Sequence, residues 1–125
     1  MKFYYNGVLV RTSKNHEYHF AVVTKDDKLV SCHGTREAAE KEYRRPIAER
    51  ESSIQDELAA IKAINEGKTY VDRKICRSWQ RIHFKGKDLF GNDRSKVETW
   101  EGYIADNKKS IENLKTRKIV ELEQR

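Results

Sequence analysis

The chain has 125 residues, the usual size of one domain, and its charged fraction of 37% is high against the roughly 25% of an average domain. With only 37% apolar residues, we expect a single domain with a modest core and long solvated helices. The apolar run Val8-Leu9-Val10 is too short for a signal peptide or a membrane span. We therefore expect a soluble cytoplasmic protein with no membrane partner.

The net charge indicates which class of partner to expect, and the number of cysteines indicates which cellular compartment to expect. A formal net charge of +6 favours polyanions and acidic protein surfaces, because long-range attraction raises encounter rates. The two cysteines, Cys32 and Cys76, are too few for a disulfide-stabilised secreted scaffold. We expect both to be free, buried and inert.

The first 34 residues alternate between apolar and polar positions, with turn residues between the runs, which is typical of short antiparallel strands. Asn6-Gly7 is a strong turn dipeptide, and Lys25-Asp26-Asp27 supplies the next turn. The pattern predicts a three-stranded meander with strands at residues 3–5 with 8–11, 18–24 and 28–33.

Helices are predicted after Gly34. Thr35 is a good N-cap for a first helix that covers the sheet, and Pro46 should break that helix because proline lacks the amide hydrogen. A second helix is predicted over residues 46–66, ending before Gly67, and a C-terminal helix over residues 94–125. In the apolar stripe of the C-terminal helix, Asn107 could fix the register or the partner.

These elements predict an α+β fold. An N-terminal three-stranded antiparallel sheet covered by a helix is followed by a long antiparallel helical hairpin, and a basic connector at residues 67–93 interrupts that hairpin. All of these parts belong to one domain, 1–125, of which residues 1–45 form the sheet and first helix.

The basic connector carries +4 of the net charge, and it fits neither a helical nor a strand period for long. Tyr70-Val71 and residues 82–84 could form short strands. A connection of this length is commonly functional, and aromatic side chains are interleaved with its cations. Cations neutralise phosphates and aromatic faces stack on unpaired bases, so we predict a binding surface for nucleic acid or a nucleoprotein complex. Its predicted residues are Arg73, Lys74, Arg77, Trp79, Arg81, His83, Lys85 and Lys87.

Two other interpretations of this connector stay open. The same residues suit an acidic protein surface, since tryptophan and arginine often anchor protein interfaces. Alternatively, Trp79, Ile82 and Phe84 form a small satellite core and the cations are its solvated rim.

No motif of a known catalytic class occurs, so we expect a protein without enzymatic activity and without a cofactor. The histidines and cysteines lack the paired spacing of a structural zinc site, which argues against a metal. A weaker alternative is a nuclease in which Asp72 or Asp93, with Lys74 and His83, holds a divalent ion.

The first 45 residues resemble the arm-type DNA-binding domain of phage integrases, in which a three-stranded sheet is followed by one helix. The segments that carry this resemblance are Val8-Leu9-Val10-Arg11, Tyr18-His19-Phe20-Ala21-Val22-Val23, Lys28-Leu29-Val30-Ser31-Cys32 and Thr35-Arg36-Glu37-Ala38-Ala39-Glu40. The resemblance implies that the sheet enters the major groove and that DNA contacts come from Arg11, Lys14, His16, His19 and Thr24. No recombinase catalytic domain follows these segments.

In size, charge and architecture the whole chain is similar to small accessory proteins of phages and mobile elements, including anti-CRISPR inhibitors of bacterial immunity. We therefore expect a non-enzymatic accessory protein that acts on a nucleic acid or nucleoprotein complex through residues 67–93. The alternative is a protein–protein interaction module or homodimer that acts through its paired long helices.

Overall fold

The computed structural model describes the backbone of residues 1–125 and every side chain except that of Ile75. The chain has an α+β fold in which two long helices separate three groups of strands. They are β1 (Lys2–Tyr5), β2 (Val8–Thr12), β3 (Phe20–Val23), β4 (Leu29–His33), α1 (Arg36–Asn65), β5 (Tyr70–Ile75), β6 (Ser78–His83), α2 (Val97–Lys115), β7 (Lys118–Glu121) and β8 (Glu123–Gln124).

The chain forms two compact units, and both long helices contribute to each. One unit, here called the sheet unit, contains Met1–Glu49 and Ile111–Arg125. The other, called the hairpin unit, contains Arg50–Ser110.

The sheet unit contains two small antiparallel sheets, with strand orders β2-β1-β8 and β4-β3-β7. The prediction of one three-stranded meander is wrong, because C-terminal strands pair with β1 and β3 and so divide the N-terminal strands between two sheets. The predicted turn at Asn6-Gly7 is confirmed, with φ angles of 50° and 75°.

The last residues do not continue the C-terminal helix. The prediction of a helix to residue 125 is wrong, since α2 ends at Lys115 and strands β7 and β8 follow a turn at Thr116 and Arg117. Ile119 and Val120 are β-branched, which suits their place beside the central strand β3.

Helix α1 begins as predicted and does not break where predicted. The Oγ1 of Thr35 accepts a hydrogen bond from the amide of Ala38 at 3.1 Å, which confirms the N-cap. The helix then runs through Pro46 without interruption, so the prediction of a second helix starting there is wrong. Arg117 donates to the carbonyl of Tyr43, and the Tyr43 hydroxyl donates to the carbonyl of Lys115, so tertiary contacts hold the turn before the proline.

The core of the sheet unit takes residues from both sheets' central strands and from both helices. Phe3 in β1 and Ala21, Val22 and Val23 in β3 are fully buried. Ala39 and Ile47 of α1 and Ile111 of α2 are buried in the same unit. The covering of a sheet by α1 stays a prediction.

In the hairpin unit, β5 and β6 form a two-stranded antiparallel sheet. Its core is Phe84 against Ala60 and Ala63 of α1, and around this lie Ile64, Val71, Ile82 and Trp100. The predicted end of α1 is confirmed at Gly67, whose φ is 76° and whose amide donates to the carbonyl of Ile64.

Polar contacts also join α1 and α2 within the hairpin unit. The Asn107 side-chain amide donates to Oε1 of Glu57 at 2.7 Å, and Arg50 donates to the Asn107 side-chain oxygen at 3.1 Å. An antiparallel hairpin of the two helices along their whole length stays a prediction. In the described part of the chain, no helix has both the length and the apolar character needed to cross a membrane.

Candidate nucleic-acid interface

The β5–β6 hairpin has two distinct faces, because side chains alternate along each strand and directly paired residues share a face. Tyr70 pairs with His83, Asp72 with Arg81 and Lys74 with Trp79. These six residues make up one face, which we call the outward face, and all six are exposed.

Two aromatic rings on the outward face are accessible to a ligand. Trp79 is 70% exposed and Tyr70 is 39% exposed. Trp79 is paired with Lys74 across the two strands, which places a cationic side chain next to it on the same face. Along β5 the positions of Tyr70 and Lys74 are about 13 Å apart at about 3.3 Å per residue, which separates the two aromatic positions by a similar span.

Arg81 joins the centre of the outward face to one of its aromatic rings. Its guanidinium lies 3.9 Å from the centroid of Tyr70 and donates to both carboxylate oxygens of Asp72, at 2.9 and 3.3 Å. The Arg81 hydrogen bond is the main reason that the pKa of Asp72 lies below its ordinary value. Asp72 therefore offsets the charge of Arg81, and the open cation of this face is Lys74.

Arg73 is the one predicted residue on the strands that belongs to the opposite face. It is half-buried, and its Nη2 atom lies 2.5 Å from Oδ2 of Asp56, an ionic contact that is not aligned as a hydrogen bond. On the same side, Val71 and Ile82 pack into the core of the unit. Arg73 thus lies on the other face of the hairpin, although it lines one cavity of about 250 Å³ together with Lys74 and Trp79.

The satellite-core interpretation holds for two of its three residues. Phe84 is buried and Ile82 packs against the same cluster, whereas Trp79 takes no part in it. The periodicity of the sequence indicates only weakly which of these three residues are buried, because the face of each side chain depends on the pairing register of the hairpin.

The remaining predicted cations surround the hairpin. Arg77 lies exposed in the turn between the strands, next to Cys76. Lys85 and Lys87 follow β6 and are exposed. Cations thus lie at both ends of the outward face.

A tightly bonded loop follows the hairpin, here called the tip loop, residues 86–94. Oδ1 of Asp88 accepts hydrogen bonds from the amides of Phe90 and Asn92, and the Tyr103 hydroxyl donates to its other oxygen. Together these hydrogen bonds lower the pKa of Asp88 to about 2, and the bond from Tyr103 has the largest effect. Burial and the same carboxylate raise the pKa of Tyr103 to about 12.

Arg94 fastens the tip loop to the end of the hairpin. Its guanidinium donates to the carbonyls of His83 and Lys85, and the Trp100 indole donates to the Arg94 carbonyl. The loop is therefore held at both of its ends.

Leu89 and Phe90 project from this loop, with exposed fractions of 101% and 89%. Leu89 was not among the predicted site residues. A signal for it does exist, since two large apolar residues stand together between Asp88 and Gly91, where turn residues predict a loop rather than an element with a core face.

Comparison with protein-family models, curated proteins and solved structures gives no match. Any proposal about the function of this chain must therefore rest on the geometry of the chain itself.

The N-terminal residues implied by the integrase resemblance lie in the sheet unit. The Arg11 guanidinium stacks 4.7 Å from the centroid of Tyr18, and His19 lies 3.3 Å from a carboxylate oxygen of Glu17. Thr24 accepts a hydrogen bond from the amide of Lys28 in the β3–β4 turn. Lys14 and His16 are exposed in the segment between β2 and β3. These side chains have local partners or lie outside the strands.

The cysteines and the metal candidates can be placed directly. Both cysteines are free, as predicted, but the prediction that both are buried is wrong, since Cys32 is half-buried and Cys76 is exposed in the hairpin turn. Burial raises the pKa of the Cys32 thiol. Among the described side chains, no group of three or more His, Cys, Asp or Glu residues converges as metal ligands would.

Proposed function

We propose that the chain is a binding protein without enzymatic activity, and that the outward face of the β5–β6 hairpin binds single-stranded nucleic acid. The observation that supports this most is Trp79, a ring 70% exposed on the same face as Tyr70 and directly opposite Lys74. Tryptophan is usually well buried, so a displayed ring beside a cation favours a ligand with a flat π-system and negative charge.

The spacing of the face suits a strand rather than a single base. The two aromatic positions are about 13 Å apart, and a stacked strand covers this distance in about four nucleotide steps. Unpaired bases can stack on both rings while Lys74, Arg77, Lys85 and Lys87 neutralise phosphates. In a duplex the base faces are already stacked on each other, so the aromatic rings would gain little.

A resemblance to phage accessory proteins fits this mode of binding. A nucleoprotein complex with an exposed single strand, such as the targets of anti-CRISPR inhibitors, would present the same ligand chemistry. The inhibition of such a complex would then follow from occupation of its strand.

The test is a titration of fluorescently labelled single-stranded DNA and RNA of mixed sequence, alongside a matched duplex, over a range of salt concentrations. We expect tighter binding of the single strands and an affinity that falls as salt rises. Lys74→Ala and Arg77→Ala should each reduce the logarithmic salt slope by about 0.7. Lys108→Ala, at an exposed position of α2, is the matched control and should leave the slope unchanged.

Two results would contradict the proposal. One is an absence of binding to either single strand at low salt, and the other is binding that does not respond to salt.

The alternative, an interaction module that acts through paired helices, has less support. Asn107, the residue predicted to specify a partner, is only 8% exposed and bonds to Glu57 and Arg50 of its own chain. Its hydrogen-bonding capacity is used inside the hairpin unit.

A further inference from the structure

The tip loop exposes apolar surface that the protein does not use within its own fold. Leu89 and Phe90 are almost fully exposed, although the loop that carries them is fixed by the hydrogen bonds of Asp88, Tyr103 and Arg94. A flexible loop could turn such side chains inward, whereas this one holds them in solvent. Contiguous exposed apolar residues on a rigid support are typical of an interaction site.

A groove of about 370 Å³ lies directly beside this tip. Its floor and rim come from one side of α2, and Phe90 itself forms part of the wall. Gly102 contributes no side chain, and a Cβ placed there would meet nothing within 4 Å. Glycine is unfavourable inside a helix, yet here it keeps the groove open. The lining residues are Phe90, Asn92, Glu98, Thr99, Gly102, Tyr103 and Asp106.

The charges around the tip and the groove are opposite. Glu98 and Asp106 line the groove, and neither forms an ion pair with a described side chain. Lys85 precedes the tip loop and Lys87 lies within it, and neither takes part in an ion pair among the described residues. One small surface therefore presents an apolar projection with cations next to an open groove with carboxylates.

Such a surface is complementary to itself. In a two-fold symmetric dimer the same patch of each copy forms the interface. A residue i of one copy then contacts a residue j of the other, and residue j of the first copy contacts residue i of the second. The geometry points to a second copy of this chain as the occupant: Leu89 and Phe90 of each copy enter the Gly102 groove of the other, and Lys85 and Lys87 face Glu98 and Asp106. This homodimer does not require nucleic-acid binding by the outward face, but it shares Lys85 and Lys87 with the proposed phosphate contacts, so a bound strand and a second copy would compete for these two lysines.

The test is sedimentation equilibrium of the full chain from micromolar to millimolar concentration. We expect a reversible monomer–dimer equilibrium that weakens as salt rises, because it includes charge pairs. Leu89→Ser and Phe90→Ser should each raise the dimer dissociation constant at least about tenfold, since truncation of a central apolar anchor costs this much or more.

Gly102 gives a second test that leaves the tip loop unchanged. Gly102→Leu should fill the groove and raise the dissociation constant to a similar extent, while the unfolding midpoint stays equal or rises because leucine favours the helix. Gly102→Ala is the matched control, because it adds a single methyl group and should retain the dimer. Lys87→Glu and Glu98→Lys should each weaken the dimer, and the double variant should recover part of the loss.

A wild-type chain that stays monomeric up to millimolar concentration would overturn the inference, as would a Gly102→Leu variant that dimerises like the wild type. If Phe90→Ser leaves the oligomeric state unchanged but lowers binding to single-stranded DNA or to phosphatidylserine-containing vesicles, the tip serves that ligand instead and the dimer is excluded.

Discussion

At the scale of single residues, the sequence indicates that Asn107 is important, but it does not predict which residues Asn107 contacts. Its place in an apolar stripe of α2 indicates a residue that fixes register, and in the structure it is buried between Glu57 and Arg50. Sequence could not name these partners, because they lie fifty or more positions away on α1. Burial raises the pKa of Glu57, although the Asn107 amide donates to it.

Asn107→Leu should lower the free energy of unfolding by about 1–3 kcal/mol, because Glu57 loses a donor and Arg50 an acceptor. A carboxyl group with a raised pKa stabilises the fold less as pH rises through that pKa, and the loss of the Asn107 donor raises the pKa further. The damage should therefore be greater at pH 7 than at pH 4. Urea unfolding at both pH values measures it, with Lys109→Leu at an exposed site as control. A loss that is larger at pH 4 would contradict this account.

Asp88 gives a second prediction at this scale. Its pKa falls on folding from 3.8 to about 2, so its contribution to stability is complete above pH 3.8 and disappears as pH falls towards 2. Asp88→Asn should lower the unfolding midpoint at pH 7, and this difference from wild type should shrink between pH 4 and pH 2. Thermal melts at a series of pH values measure the difference. A difference that is constant down to pH 2 would show that the carboxylate charge does not hold the tip loop.

The two faces of the hairpin mark the limit of prediction for single residues. The sequence places Arg73 and Trp79 in one basic aromatic group, whereas pairing of Lys74 with Trp79 and of Arg73 with Gln80 puts them on opposite faces. A shift of the register by one residue would reverse this assignment. The composition of the segment predicts which residues belong to the basic aromatic group. Only the strand register predicts which of those residues share a face of the hairpin.

At the scale of elements, local signals predict where helices begin and where turns occur, and tertiary contacts decide the rest. Thr35, Asn6-Gly7 and Gly67 act as expected because each satisfies the backbone locally. The C-terminal strands could not be predicted, because Ile119 and Leu122 continue the helical spacing of α2. What makes residues 118–121 a strand is the free edge of β3, which is formed about a hundred positions earlier.

Pro46 is the clearest case of tertiary override. A proline inside a helix is about 3 kcal/mol less favourable than alanine, but α1 continues through it, with Ile47 buried and Tyr43 held by Arg117. Pro46→Ala should therefore raise the free energy of unfolding by about 1–2 kcal/mol, after allowance for the stiffer unfolded chain of the wild type. Chemical denaturation measures this change. Ala48→Pro, at an exposed position in the same helix, is the contrasting variant and should destabilise the protein. A Pro46→Ala variant less stable than wild type would show that the proline fits a kink that the sheet unit requires.

At the scale of the whole molecule, charge and exposed aromatic surface are unevenly distributed, and the proposed function rests on this distribution. The net charge of +6 and its concentration in residues 67–93 can be seen in the sequence. The folding of that segment into a hairpin with one exposed face follows from its packing on Ala60, Ala63 and Phe84. The hairpin thus packs one face into the core of its unit and leaves the other face exposed.

The central claim is that Trp79 serves binding rather than folding, and one variant tests it most directly. For Trp79→Ala, affinity for a labelled single strand and the unfolding midpoint are measured on the same preparation. We predict an affinity loss of about 1–3 kcal/mol from lost stacking, with a midpoint close to that of wild type because the ring is 70% exposed. Unchanged affinity, or a fall in stability of about 3–5 kcal/mol as for a buried aromatic residue, would contradict the account.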